Sequence, residues 1–105
     1  MTPIKAQLRA LILTGLHRNN LLVLLSLAKQ LFHQRPVLYG TLIYIFQWLD
    51  DEYDLYGGQG IPTNRYNRIV QRLTQPLTDA LDAEFDPAPQ FLDALNRLHL
   101  AFFTL

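Results

Sequence analysis

The chain has no cysteine and one serine, and no aspartate or glutamate occurs in its first 49 residues. The missing cysteine excludes a disulfide scaffold and a thiolate zinc site, and it removes any redox clue to compartment. The lone Ser26 sits among leucines, a poor setting for a nucleophile. His17, His33 and His99 are scattered, and no carboxylate accompanies them at ligand spacing. The longest uncharged stretch, Pro36–Leu49, has 14 residues, whereas a bilayer needs about 20. It reads as a buried element, with no transmembrane segment. The N-terminus lacks the layout of a secretory signal, so the sequence leads us to expect a cytoplasmic protein. No repeat or low-complexity tract is present.

What is there is chiefly leucine, 22 of 105 residues, and half the chain is hydrophobic. That length is one domain, residues 1–105, and that composition supports a folded core. The apolar residues recur at helical spacing. Thr2 and Pro3 read as a cap and first turn, followed by Ile4, Leu8, Leu11 and Ile12, with Gly15 as a stop. Asn20 reads as the next cap, before a stripe of Leu21, Leu24, Leu25, Ala28, Leu31 and Phe32. Val37 to Tyr53 is rich in β-branched and aromatic residues, which suits a strand. It is too long for one and has no strand to pair with, so we read it as helix. Leu55–Pro62 holds three glycines and a proline and reads as a loop. Thr63 or Asn64 caps a fourth stripe, in which Pro76 predicts a kink or break. Asp86 and Pro87 open a fifth. The expected fold is all-α: a compact bundle of four to five helices with a Gly-rich loop between helices 3 and 4.

The formal net charge is zero, yet it sums segregated blocks. The acid-free first half carries Lys5, Arg9, Arg18, Lys29 and Arg35. Asp50, Asp51, Glu52 and Asp54 follow, then Arg65, Arg68 and Arg72, then Asp79, Asp82, Glu84 and Asp86. Such blocks give a folded molecule either faces of opposite sign or salt bridges that cancel them.

The string Asp50-Asp51-Glu52-Tyr53-Asp54 resembles the aspartate-rich DDxxD motif of terpene and prenyl synthases. The resemblance implies magnesium held by Asp50, Asp51 and Asp54 against a substrate diphosphate, since hard cations take clustered carboxylate oxygens. It covers about eight residues, and no second acidic motif of that kind follows. The alternative is a solvated acidic helix end paired with arginines.

Arg65, Arg68 and Arg72 share one helical stripe that could meet phosphate or an acidic protein. The neutral balance argues against a nucleic-acid module, and the glycine loop is too long for a helix-turn-helix. Tyr53, Tyr56, Gln59 and Tyr66 flank or occupy that loop and form a candidate recognition surface. Leu22, Val23, Leu27, Phe103 and Leu105 fall off the core stripes and are candidate interface residues. No cofactor is implied. The sequence therefore favours a small non-catalytic protein–protein interaction module, an adaptor, regulator, assembly factor or subunit of a larger complex, held as a homo-oligomer or with another protein. The alternatives are a nucleic-acid-associated protein using the arginine stripe and, more remotely, a magnesium-dependent enzyme fragment.

Overall fold

The structure, a computed structural model, describes residues 3–56 and 61–105. It is 82% helical. Five helices follow in order: α1 Ile4–Thr14, α2 Arg18–Leu31, α3 Pro36–Leu55, α4 Thr63–Asp82 and α5 Ala88–Phe103. No strand occurs among the described residues. The all-α reading holds, including the aromatic segment from Val37, because α3 buries Leu38, Tyr39, Leu42, Ile45, Phe46, Leu49 and Tyr53 at helical spacing. Tertiary burial overrides the strand preference of its residues. Gly57, Gly58, Gln59 and Gly60, the heart of the expected loop, lie outside the described residues, as does Thr2.

Helices α2 and α3 pack chiefly on each other, as do α4 and α5. Helix α1 lies against both α2 and α4 and joins the two pairs. The principal extents are 42 × 32 × 19 Å. A helix with side chains is about 10 Å across, so the bundle is about two helices thick. One continuous core, with Leu8, Ile12, Leu24, Phe46, Leu73 and Leu81 wholly buried, runs between the layers. Each such side chain contributes about 1.5–3 kcal/mol.

The helix starts differ from the sequence reading. Prolines or their neighbours punctuate the chain, and among the described helices no side chain caps an N-terminus. Pro3, Pro62 and Pro87 are themselves the N-cap residues, with φ of −55°, −53° and −52°. Their carbonyls accept from Gln7, Tyr66 and Phe91. Proline's fixed φ sets the entry direction, so Thr63 becomes the first helical residue and Asp86 stays outside. Helix α2 begins at Arg18 with His17 as cap, three residues, less than one turn, earlier than a cap at Asn20 implies. Asn20 lies inside the helix and its side-chain amide donates to the Gly15 carbonyl at 3.1 Å. Phe32, placed on the core stripe by spacing, lies past the end of α2 and is exposed. Pro76 does not break α4, which runs through it as a continuous helix and forgoes one backbone donor.

Gly15 ends α1 with φ of 143°, a conformation that side chains with a Cβ rarely adopt. A Cβ there would stand 2.9 Å from the His17 ring and 3.2 Å from the Tyr66 hydroxyl. Gly15→Ala is therefore expected to cost more than about 1 kcal/mol, lowering Tm by about 4–8 °C or more. Gly40 is its control: it lies in mid-helix, and an added Cβ meets only the Phe32 ring at 3.4 Å. Gly40→Ala should be neutral or stabilising by up to about 1 kcal/mol. Thermal denaturation of both variants checks the contrast.

Candidate functional site

Folding spends most of the segregated charge on internal pairs. Lys5 reaches Glu84 at 3.0 Å, Arg9 grips Asp82 with two bonds of 2.8 and 3.0 Å, and Arg18 pairs with Asp54. Each joins the acid-free first half to a later acidic block. The two hydrogen bonds and the charge of Arg9 hold the Asp82 carboxyl below the usual carboxylate range. Arg65 pairs with Glu52 at 3.2 Å across the α3–α4 connection. Arg97 reaches Asp93 at 3.1 Å and Asp79 at 3.8 Å. Arg68 and Arg72 are exposed, and neither has an ion-pair partner among the described residues.

Helix periodicity gathers the carboxylates of Asp50, Asp51 and Asp54 at the end of α3, their oxygens within 4.8 Å of one another. Asp54 already accepts from Arg18, and Asp51 from the Gln47 amide at 3.3 Å. Among the described residues no second group of three such ligands forms, whereas the synthase pattern needs two. Glu52 faces the other way, toward Arg65.

The expected tyrosine surface divides. Tyr53 is buried, and its hydroxyl donates to the Leu16 carbonyl at 3.0 Å, so it fastens α3 to the α1–α2 link and cannot serve in recognition. Tyr66 stacks on His17 with ring centroids 5.0 Å apart and an interplanar angle of 15°. Tyr56 remains partly exposed, and Gln59 lies outside the described residues. Of the apolar candidates, Leu27 is buried, because α2 is covered on two sides. Leu22, Val23 and Phe103 are exposed, and Leu105 is half-buried against the core.

Two features escaped the sequence reading. The first is Glu84, only 1% exposed. Its Oε1 accepts from the Tyr39 hydroxyl at 2.8 Å and from Lys5 Nζ at 3.0 Å. Its Oε2 has no hydrogen-bond partner among the described residues. The signal was available: Glu84 continues the Leu73, Leu77 and Leu81 stripe at helical spacing, which places a carboxylate on the buried face. No solute reaches it without the helices parting, so its role is to join α1, α3 and the α4–α5 link. Burial, then the bond and charge of Glu84, push the Tyr39 phenol far above its ordinary value. Burial also raises that of Tyr53.

The second is an aromatic groove of about 340 Å³ between α3 and the end of α5, lined by Tyr44, Trp48, Arg65, Phe102, Phe103 and Leu105. Phe102 meets Tyr44 and Trp48 edge to face, at 5.8 and 5.2 Å, and Phe103 at 5.4 Å. The Arg65 guanidinium lies 5.9 Å over Trp48. The sequence showed Phe103 and Leu105 as apolar excess, but not that Tyr44 and Trp48, four residues apart on α3, would stand beside them.

No protein-family model, no curated protein and no solved structure matches this chain. Among the described residues no helix is long and apolar enough to cross a membrane. What the fold defines is an all-α helical bundle.

Three outcomes are expected. Tyr39→Phe leaves Glu84 with Lys5 as its single donor and should cost about 1–3 kcal/mol by urea denaturation. The folded state raises both phenols, so it holds their protons longer than the unfolded chain does. That contribution is complete below the ordinary phenol value of about 10 and is lost as pH rises beyond it. Unfolding free energy should therefore fall above about pH 10, less steeply in Tyr39→Phe. For the α3 carboxylates, calorimetric titration with magnesium and a prenyl diphosphate should give no saturable heat. Micromolar binding abolished by Asp51→Asn would instead establish a metal site there.

Proposed function

We propose that this protein is a small non-catalytic interaction module that works by docking other protein surface onto its helices, as an adaptor, regulator, assembly factor or subunit of a complex. The observation that carries the reading is the aromatic groove. Tyr44 and Phe103 are 62% and 74% exposed although they belong to one ring cluster. Leu100, on the same helix as Phe103, is 65% exposed. Aromatic side chains with a single arginine at the edge are the composition of an interface core. Covering one such ring contributes about 1.5–3 kcal/mol. Left in water, the cluster would favour aggregation. Leu22 and Val23 on α2 supply a second, smaller apolar surface.

The buried Glu84 and, on α3, Asp51, Glu52 and Asp54 are engaged in structural bonds, which supports a binding role over a catalytic one. Sedimentation equilibrium of the full chain, alone and with co-purifying protein, tests the reading. Phe103→Asp is expected to weaken association by about tenfold to a hundredfold, the equivalent of one desolvated aromatic. A monomer at high concentration, unchanged by Phe103→Asp and co-purifying with nothing, would overturn it.

A further inference from the structure

We infer that the outer face of the α4–α5 hairpin binds a second copy of this chain in an antiparallel, two-fold arrangement. The inference names a partner for the interaction role proposed above and rests on that reading. At 100° per residue, Arg68, Arg72 and Asp79 fall within about 20° of a common line on α4. All three therefore share one face of that helix. The salt bridge from Arg97 to Asp79 places the same face beside α5. The basic end is the end where α4 begins. The acidic end is where the hairpin closes, with Asp79, Asp82, Asp86 and Asp93 around a cleft of about 370 Å³. Leu100, seven residues from Asp93 and so on its side of α5, is 65% exposed along the face.

The charges left over inside one molecule point to what covers this face. Arg9, Arg18, Arg65 and Arg97 each have a carboxylate partner, and Arg35 lies 4.1 Å over the Phe91 ring. Among the described residues Arg68 and Arg72 have neither, and Asp86 has no ion pair; Lys29, Asp50 and Asp51 also have none, but they lie on α2 and α3 and not on this hairpin. The unused positive charge stands at one end of the hairpin face and unused negative charge at the other. A parallel pairing of two copies sets like charges together, which costs several kcal/mol. An antiparallel pairing about a two-fold axis sets each copy's Arg68 and Arg72 against the acidic end of the other. One rotation satisfies both ends, the self-complementarity that an isologous interface requires. Leu100, near the end of α5 and so level with the start of α4, adds apolar area where each copy's basic end meets the acidic end of the other.

Charge swapping tests this on the full chain by sedimentation equilibrium, with circular dichroism to confirm that each variant stays helical. Arg68→Asp with Arg72→Asp reverses the charge of the basic end, and Asp86→Arg with Asp93→Arg reverses two of the four aspartates at the acidic end. Each double variant alone should dimerise about a hundredfold more weakly than the unaltered chain. An equimolar mixture of the two should recover a dimer of near-original affinity, since opposite faces now meet. The unaltered dimer should weaken in 1 M salt, where charges are screened beyond about 3 Å. A dimer that survives both double variants but dissociates in Phe103→Asp overturns this inference and leaves the interaction module standing. So does an unaltered chain that is monomeric but holds a different protein. A monomer that binds DNA or RNA at submicromolar concentration through Arg68 and Arg72 overturns it in favour of phosphate recognition. Failure of the mixture to dimerise overturns it as well.

Discussion

A single buried carboxylate fixes how the two helical pairs sit on each other. Glu84 lies in the turn after α4, and its Oε1 takes one bond from Tyr39 of α3 and one from Lys5 of α1. Hydrophobic burial brings these helices together but does not distinguish closely related packings, because it has no direction. A carboxylate at 1% exposure does distinguish them. Any arrangement that buries it without both donors leaves a charge uncompensated, which costs several kcal/mol. Tyr39 is itself wholly buried, so the donor is held as firmly as the acceptor. The thin α3–α4 contact makes this bond the more important: those helices touch little directly, and Tyr39 reaches across to the turn that follows α4.

The same logic explains the neutral yet segregated sequence. Lys5, Arg9 and Arg18 belong to a half with no acid of its own, and each finds its carboxylate only after α3, α4 or the turn beyond α4 has folded against it. Exposed pairs of this sort add little stability individually. Their effect is on specificity, since misdocked helices would bring like charges together. Among the described residues Arg68 and Arg72 on one end of α4, Asp86 beyond its other end, Lys29 on α2 and Asp50 and Asp51 on α3 are left without an ion pair.

A bundle only about two helices thick cannot hide the apolar residues of a chain that is half hydrophobic. Helix α5 shows the consequence. It buries Phe91, Leu95, Leu98 and Phe102 on one side, while Leu92, Leu100 and Phe103 look outward. The ring cluster around Phe102 then bridges the buried side and the open groove. Shape and composition together give a molecule whose surface is suited to being covered.

Helix number, order and approximate extent were legible from the sequence, because leucine spacing on α1, α2, α4 and α5 repeats at the helical period and glycine and proline mark the breaks. Proline's fixed φ set the starts of α1, α4 and α5, one residue from where polar side chains suggested them. Spacing alone could not show that Leu27 is buried, that Tyr53 turns inward to Leu16, or that Pro76 is accommodated within α4, since each depends on which neighbours cover that helix. The candidate site divides in the same way. Phe103 and Leu105 stood out as apolar excess, and the charge blocks were plain. Their partners were not: Glu84 with Tyr39 is a pairing over 45 residues, and Arg9 with Asp82 one over 73. A local pattern records which face of a helix is apolar. Only the tertiary fold decides which distant side chain meets that face, because that choice is made by packing and charge pairing between helices that the sequence separates.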